Sequence, residues 1–235
     1  DITTGGTATG VTWGAPTTGD NITWTITTTA VTTDGTVVPS LAAGVVTDLA
    51  GNANFASTNG DNSVTYDSGA PSVTINPAGA QGDPVNTLPI NFTVVFSEAI
   101  DPATFTTADI TQGGTATGIT WGLATGDNIT WTLSASAVAT EGTLSPSIAA
   151  NTVEDSAGNN NTASSSTDNS VTYDITAPTV TVNQSGAQSD PTNTLPITFA
   201  VSFSEVIDTA TFTNADMSNA GTATGTTFTV TNDGD

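Results

Sequence analysis

Residues 62–75 read NSVTYDSGAPSVTI, and residues 169–182 read NSVTYDITAPTVTV. The tyrosines (173 − 66) and the prolines (178 − 71) are each 107 residues apart. A strand that closes, a short acidic joint and a strand that opens again is how one β-domain passes to its copy. The chain therefore divides into the back part of one copy (1–67), a complete copy (68–174) and the front part of a third (175–235). The offset holds inside the copies as well, since Asp20-Asn21-Ile22-Thr23-Trp24 returns at 127–131. Trp13 returns one step later, at Trp121, because GAPTTGD shortens to GLATGD, which marks that segment as a loop.

A period beyond 100 residues is too long for a solenoid unit and matches a whole sandwich domain of about 100 residues. Within the complete copy, Ile90, Phe92, Val94 and Phe96 alternate with Asn91, Thr93, Val95 and Ser97, which predicts a strand with one apolar face. The third copy repeats this with Ile197, Phe199, Val201 and Phe203. Ile129, Trp131 and Leu133 predict a second inward row, opposite Thr130, Thr132 and Ser134. Leu144, Pro146 and Ile148 predict another strand, at a sheet edge because proline cannot donate to a ladder. Asp-Pro, Gly-Asp and Gly-Asn pairs punctuate these runs as turns. No segment carries a long helical period, and Asp101-Pro102 promises at most one capped turn. The expectation is all-β: tandem immunoglobulin-like antiparallel sandwiches of seven strands.

Composition excludes more than it allows. The 235 residues include 22 acids and no Lys, Arg, His or Cys, for a formal charge of −22. Without a side-chain cation there is no phosphate clamp, so nucleic-acid binding has no physical basis. Attraction to an anionic membrane fails for the same reason. Triads, thiol nucleophiles, Schiff-base lysines and His/Cys zinc sites each lack an essential member. No apolar run approaches the ~20 residues that span a bilayer, so direct membrane insertion is not expected. The opening at Asp1, without a leader, fits an internal piece of a longer secreted chain. Hydrophobic content of 36% still suffices for modest cores.

The acids recur with the period. Glu98 and Glu205 close a Phe-Ser-Glu triplet, with Asp101 and Asp208 three residues later. Asp48 and Asp155 begin DLAGN and DSAGN, with Asn52 and Asn159 behind them. Asp67 and Asp174 lie in the joints. In a sandwich of this order the loop after the second strand, the loop before the last strand and the incoming joint share one end. Asp67, Glu98, Asp101, Asp155 and Asn159 are thus expected to converge and offer the six to eight oxygens that Ca²⁺ takes. Carboxylates gathered without a cation repel one another, and a divalent ion is the remedy. The competing reading is structural: Asp101 caps a turn, residues 155–159 form an Asx turn and Glu98 is solvated. A glycosidase reading of the paired carboxylates is disfavoured, because a site duplicated in every copy without a cleft-forming insertion is structural.

Taken together, YD-x-x-AP, DPTNTLPI at residues 190–197, FSE, TADI or NADM, and D-x-AGN resemble the bacterial Ig-like repeats of very large surface proteins, among them the calcium-dependent extender regions of long adhesins. The resemblance covers essentially the whole chain, although the third copy departs at Thr226-Thr227-Phe228, where earlier copies have Val-Thr-Trp or Ile-Thr-Trp. It implies a secreted, cell-surface, non-catalytic stalk of many copies rigidified by Ca²⁺, with Asp67, Asp174, Glu98, Glu205, Asp155 and Asn159 as candidate ligands and neighbouring repeats of the same chain as partners. Two alternatives stand beside it. One is a self-assembling extracellular filament or sheath in which chains exchange strands. The other is a carbohydrate- or ice-binding face built on the threonine row Thr23, Thr25, Thr27 and Thr29.

Overall fold

The computed structural model describes residues 1–232, in two compact units, Asp1–Asp174 and Ile175–Asp235. The first unit contains β1 (Ile2–Gly5), β2 (Thr12–Trp13), β3 (Thr17–Thr18), β4 (Trp24–Thr25), β5 (Thr28–Ala30), β6 (Gly35–Leu41) and β7 (Val64–Tyr66) from the first copy. The complete copy follows with β8 (Val73–Pro77), β9 (Ile90–Phe96), β10 (Ile110–Gly113), β11 (Thr120–Thr125), β12 (Thr130–Ala137), β13 (Gly142–Ile148) and β14 (Val171–Tyr173). The second unit holds β15 (Val180–Gln184) and β16 (Phe199–Phe203). Every ladder is antiparallel, and the helices among the described residues are single 3₁₀ turns. None of them is long or apolar enough to cross a membrane.

The complete copy has seven strands in two sheets, ordered β11-β12-β9-β8 and β10-β13-β14. This is the strand order of a constant-type immunoglobulin sandwich. The alternation in β9 does what its period demands. Ile90, Phe92, Val94 and Phe96 are buried and the residues between them face outward. Across the ladders Phe92 stands opposite Leu133, and Val94 lies between Trp131 and Ile75. From the facing sheet Ile110, Leu144, Ile148 and Val171 close the core. Phe105, just ahead of the 3₁₀ turn Thr107–Asp109, stacks edge-on against Phe96 (5.3 Å) and Trp131 (5.0 Å). That turn is held by a capping box between Thr106 and Asp109.

Pro146 corrects an expectation. It lies in β13, the central strand of its sheet, and not at an edge. The ladder to β14 covers only Gly142, Thr143 and Leu144, so it has already ended where proline's missing N–H would be needed. The Pro146 carbonyl on that side accepts from Asn169 Nδ2 at 2.9 Å instead. Pro39 and Asn62 repeat the arrangement in the first copy.

In the first copy, the positions equivalent to β8 and β9 fall before residue 1. Its β1-β6-β7 sheet reproduces β10-β13-β14. The long strand β12, however, has only the fragments β4 and β5 as counterparts. A strand deprived of its inner neighbour keeps neither its ladder nor its packing. Local geometry persists even so. Asp20 Oδ1 accepts from the Ile22 and Thr23 N–H groups at 2.9 and 2.8 Å, as Asp127 Oδ1 does from Ile129 and Thr130 at 3.0 and 2.8 Å.

Candidate metal centre

The pairing of β6 with β7 sets Gly35 opposite Tyr66, so the residue before β6 and the residue after β7 meet at one end of the sheet. These residues are Asp34 and Asp67. Ser68 fastens the first of them, donating to Asp34 Oδ1 through its N–H (3.1 Å) and its hydroxyl (2.8 Å). The Gly69 N–H donates to Asp67 Oδ1 at 3.0 Å. From there the chain enters β8, whose start lies against the end of β9, with Val73 opposite Phe96. Glu98, two residues past β9, is thereby brought to the same place.

The fourth acid comes from the loop after β13. Asp155 bridges to Ile100, and its loop closes through Gly158 N–H to Asp155 O (3.2 Å) and Asp155 N–H to Asn159 O (3.1 Å). Gly158 sits at φ +88°, a left-handed position that side chains resist. The loop is anchored from below by Asn161, which is buried and fully satisfied. Its Oδ1 accepts from Thr152 and Val153, both at 2.9 Å, and its Nδ2 donates to Ala149 O and Thr162 O.

Among the described residues, Asp67, Glu98 and Asp155 form a group in which one carboxylate oxygen from each lies within 4.8 Å of the other two. Two oxygens bound to one Ca²⁺ at about 2.3–2.6 Å can stand up to about 5 Å apart, so this group can hold a single metal ion. A side chain built on Gly69 would come within 3.4 Å of Asp67 Oδ1, 3.8 Å of Asp34 Oδ2 and 4.0 Å of Glu98 Oε1, so Asp34 borders the same space. The donors are all oxygen, which suits a hard cation.

The electrostatics divide the acids. Burial, then the charges of Asp67, Asp155 and Asp34, raise the pKa of Glu98 above the usual carboxylate range. Burial works the same way on Asp155. Hydrogen bonds from the Asn159 amide and backbone and from the Ala157 and Gly158 N–H groups outweigh it, so Asp155 titrates below its ordinary value. The chain has no side-chain cation to neutralise the group.

The remaining expected ligands fall elsewhere. Asn159 reaches the group through its nitrogen, with Nδ2 donating to Asp155 Oδ2 (2.9 Å) and to the Asp67 carbonyl (3.2 Å). It therefore positions acids across the joint and is not one of the grouped carboxylates. Asp101 is not among the grouped acids; its Oδ1 accepts from Ala103 N–H and its carbonyl from Thr104 N–H, as a turn cap. Asp208 does the same with Ala210 and Thr211. Asp48 and Asn52 reproduce the Asp155–Asn159 bonds, and the position equivalent to Glu98 falls before residue 1. In the second unit, Glu205 Oε1 is shielded from solvent without a hydrogen-bond partner. Asp174 follows β14, its N–H donating to Val85 O. Asp34 was missing from the expected set. Its sequence signal is the acid–glycine pair Asp34-Gly35, which returns 107 residues on as Glu141-Gly142. Compared with family models, curated proteins and solved structures, the chain matches none.

Proposed function

We propose that this chain is part of a non-catalytic extracellular stalk of tandem immunoglobulin-like sandwiches, stiffened by Ca²⁺ bound at the joint between copies. One observation carries the reading. The joint draws Asp34 and Asp67 from the copy before it and Glu98 and Asp155 from the copy after it, into a chain with no side-chain cation. An ion accepted there binds both copies at once. Removing it leaves four carboxylates that repel across the joint, which then opens. Asn159 and Ser68 already cross the same line, the first to the Asp67 carbonyl and the second to Asp34, so the joint is laid out before the ion arrives. An oxygen-only set of about four carboxylates favours Ca²⁺ over Mg²⁺, which keeps several waters and uses one or two carboxylates.

Small-angle scattering and thermal melting with Ca²⁺ and with chelator test this reading. Calcium is expected to raise the melting temperature and to narrow the distribution of end-to-end distances. Identical curves in both conditions would remove the ion from the account.

A further inference from the structure

The chain enters and leaves the complete copy at opposite ends. It enters where Val73 stands opposite Phe96, close to the bridge between Ile100 and Asp155. β13 runs from Gly142 to Ile148, just ahead of the loop that carries Asp155, and its start pairs with Tyr173, the last residue of β14. The exit past Tyr173 therefore lies at the end away from Asp155. A pull on entry and exit acts along the strands.

Among the described residues, parallel pairing occurs at two places, and both are in this copy. Residues 162–165 run along β8, an edge strand of its sheet. Thr162 N–H donates to Pro71 O (2.9 Å), Ser165 N–H to Val73 O (3.0 Å) and Ile75 N–H to Ser165 O (3.3 Å). Residues 83–85 run along β14, an edge strand of the facing sheet. Val85 N–H donates to Thr172 O and Asp174 N–H to Val85 O, both at 2.9 Å. The Asp83 carboxylate extends this pair by one bond, its Oδ1 accepting from Thr172 N–H at 2.8 Å. The same Asp-Pro pair, Asp83-Pro84, returns 107 residues on as Asp190-Pro191.

We propose that these two parallel pairs are a shear clamp that keeps the copy folded when it is pulled from its ends. Its use in the molecule rests on the stalk reading, whereas the clamp itself does not. In each pair one segment is tied to the entry and the other to the exit. β8 is pulled back by its first residue, while residues 162–165 are pulled forward through β14. Residues 83–85 are pulled back through β8, while β14 is pulled forward from Asp174. Opposed pulls on parallel neighbours slide one along the other, so the bonds of a pair fail together. Pulled from adjacent ends, the same bonds open one at a time. Forced unfolding follows the unfolding rate, and bonds that must break together raise that barrier. The clamp contains no ion ligand of the joint other than through the chain and holds in chelator.

Single-molecule force spectroscopy of the full chain in chelator tests this. The chain has no cysteine, so introduced cysteines give unique handles. With handles at the two chain ends, rupture of the complete copy is recognised by a gain in length of roughly 300 Å, the stretch from Val73 to Tyr173 drawn out at about 3.3–3.6 Å per residue. Handles at Asn86→Cys and Ala177→Cys, both exposed positions, pull residues 83–85 and β14 from adjacent ends. The rupture force is expected to fall at least about twofold in that direction, because the pair then unzips. Asp83→Ala removes one bond of the clamp and should unfold about fivefold faster at a fixed end-to-end force. Asp83→Asn keeps an oxygen acceptor and should restore most of the loss. Equal rupture forces in the two directions would overturn the proposal. So would Asp83→Ala unfolding at the wild-type rate under end-to-end load. A melting temperature indifferent to calcium, with the direction-dependent force intact, would strike the ion reading and leave the clamp standing.

Discussion

Replacing Glu98 by Gln should move stability in opposite directions with and without the ion. Glu98 faces Asp67 and Asp155 with oxygens no more than 4.8 Å away. At that distance two unit charges interact by about 3.5 kcal/mol at an effective dielectric of about 20. Partial exposure and salt at least halve this, leaving about 3 kcal/mol of repulsion for the two pairs together. Gln keeps the shape and removes the charge. In chelator, Glu98→Gln should therefore raise the melting temperature, by about 6–12 °C at about 2–4 °C per kcal/mol for a unit of this size. In the wild-type chain, calcium at a hundred times its Kd adds about 2.7 kcal/mol, or about 5–10 °C. In Glu98→Gln one of the charged ligands is gone, and at a concentration near the weakened Kd the gain falls to about 1–2 °C. Differential scanning calorimetry in chelator and in calcium reads all four values. A variant that melts lower than wild type in chelator and keeps its full calcium response would refute the reasoning.

The same residue in two copies should differ sharply in cost. Phe92→Ala empties a closed core and should lose about 3–5 kcal/mol, whereas Phe199→Ala should lose less than about 1 kcal/mol; urea unfolding followed by tryptophan fluorescence compares them. Asn161→Ala strips four hydrogen bonds from the loop that carries Asp155 and should cost about 3–5 kcal/mol. Calcium binding should weaken in parallel, as titration calorimetry will read. The Asp127 carboxyl is held below the usual range, chiefly by the Thr130 and then the Ile129 N–H. Its folded pKa lies under its unfolded one, so its stabilisation is complete above the unfolded value and is lost as pH falls through the folded one. Asp127→Asn should flatten the melting-temperature profile below about pH 4, where Asp carboxyls of unfolded chains protonate.

The fold was legible because its two signals are local. The 107-residue offset and the period-2 rows at Ile90, Phe92, Val94 and Phe96 need only the sequence, and both depend on covalent geometry: side chains alternate on any strand. The convergence of Asp67, Glu98 and Asp155 was legible at one remove, from the rule that puts certain loops at one end of a sandwich. Asp34 was not, because its closeness to Asp67 exists only through the β6–β7 register. Asp101 misled because a carboxylate near Glu98 in sequence has a nearer use, the N–H of Ala103. Asn159 was expected among the ligands, and the bonds of its Nδ2 to Asp155 and to the Asp67 carbonyl were not legible, because they depend on acceptors brought in from the far side of the joint. Pro146 misled because the edge rule concerns a missing N–H, and that N–H falls beyond the end of β14. Trp24, Ile26 and Val64 read as core and are exposed here, since the positions equivalent to β8 and β9 fall before residue 1.

The central claim is that an inorganic cation sits among the carboxylates where the first two copies meet. Its most direct test is the calcium content of the purified chain after dialysis, by elemental analysis, for wild type and for Asp67→Asn. Wild type is expected to retain one more equivalent per chain than the variant. Equal content in the two proteins, or none in either, would contradict the claim.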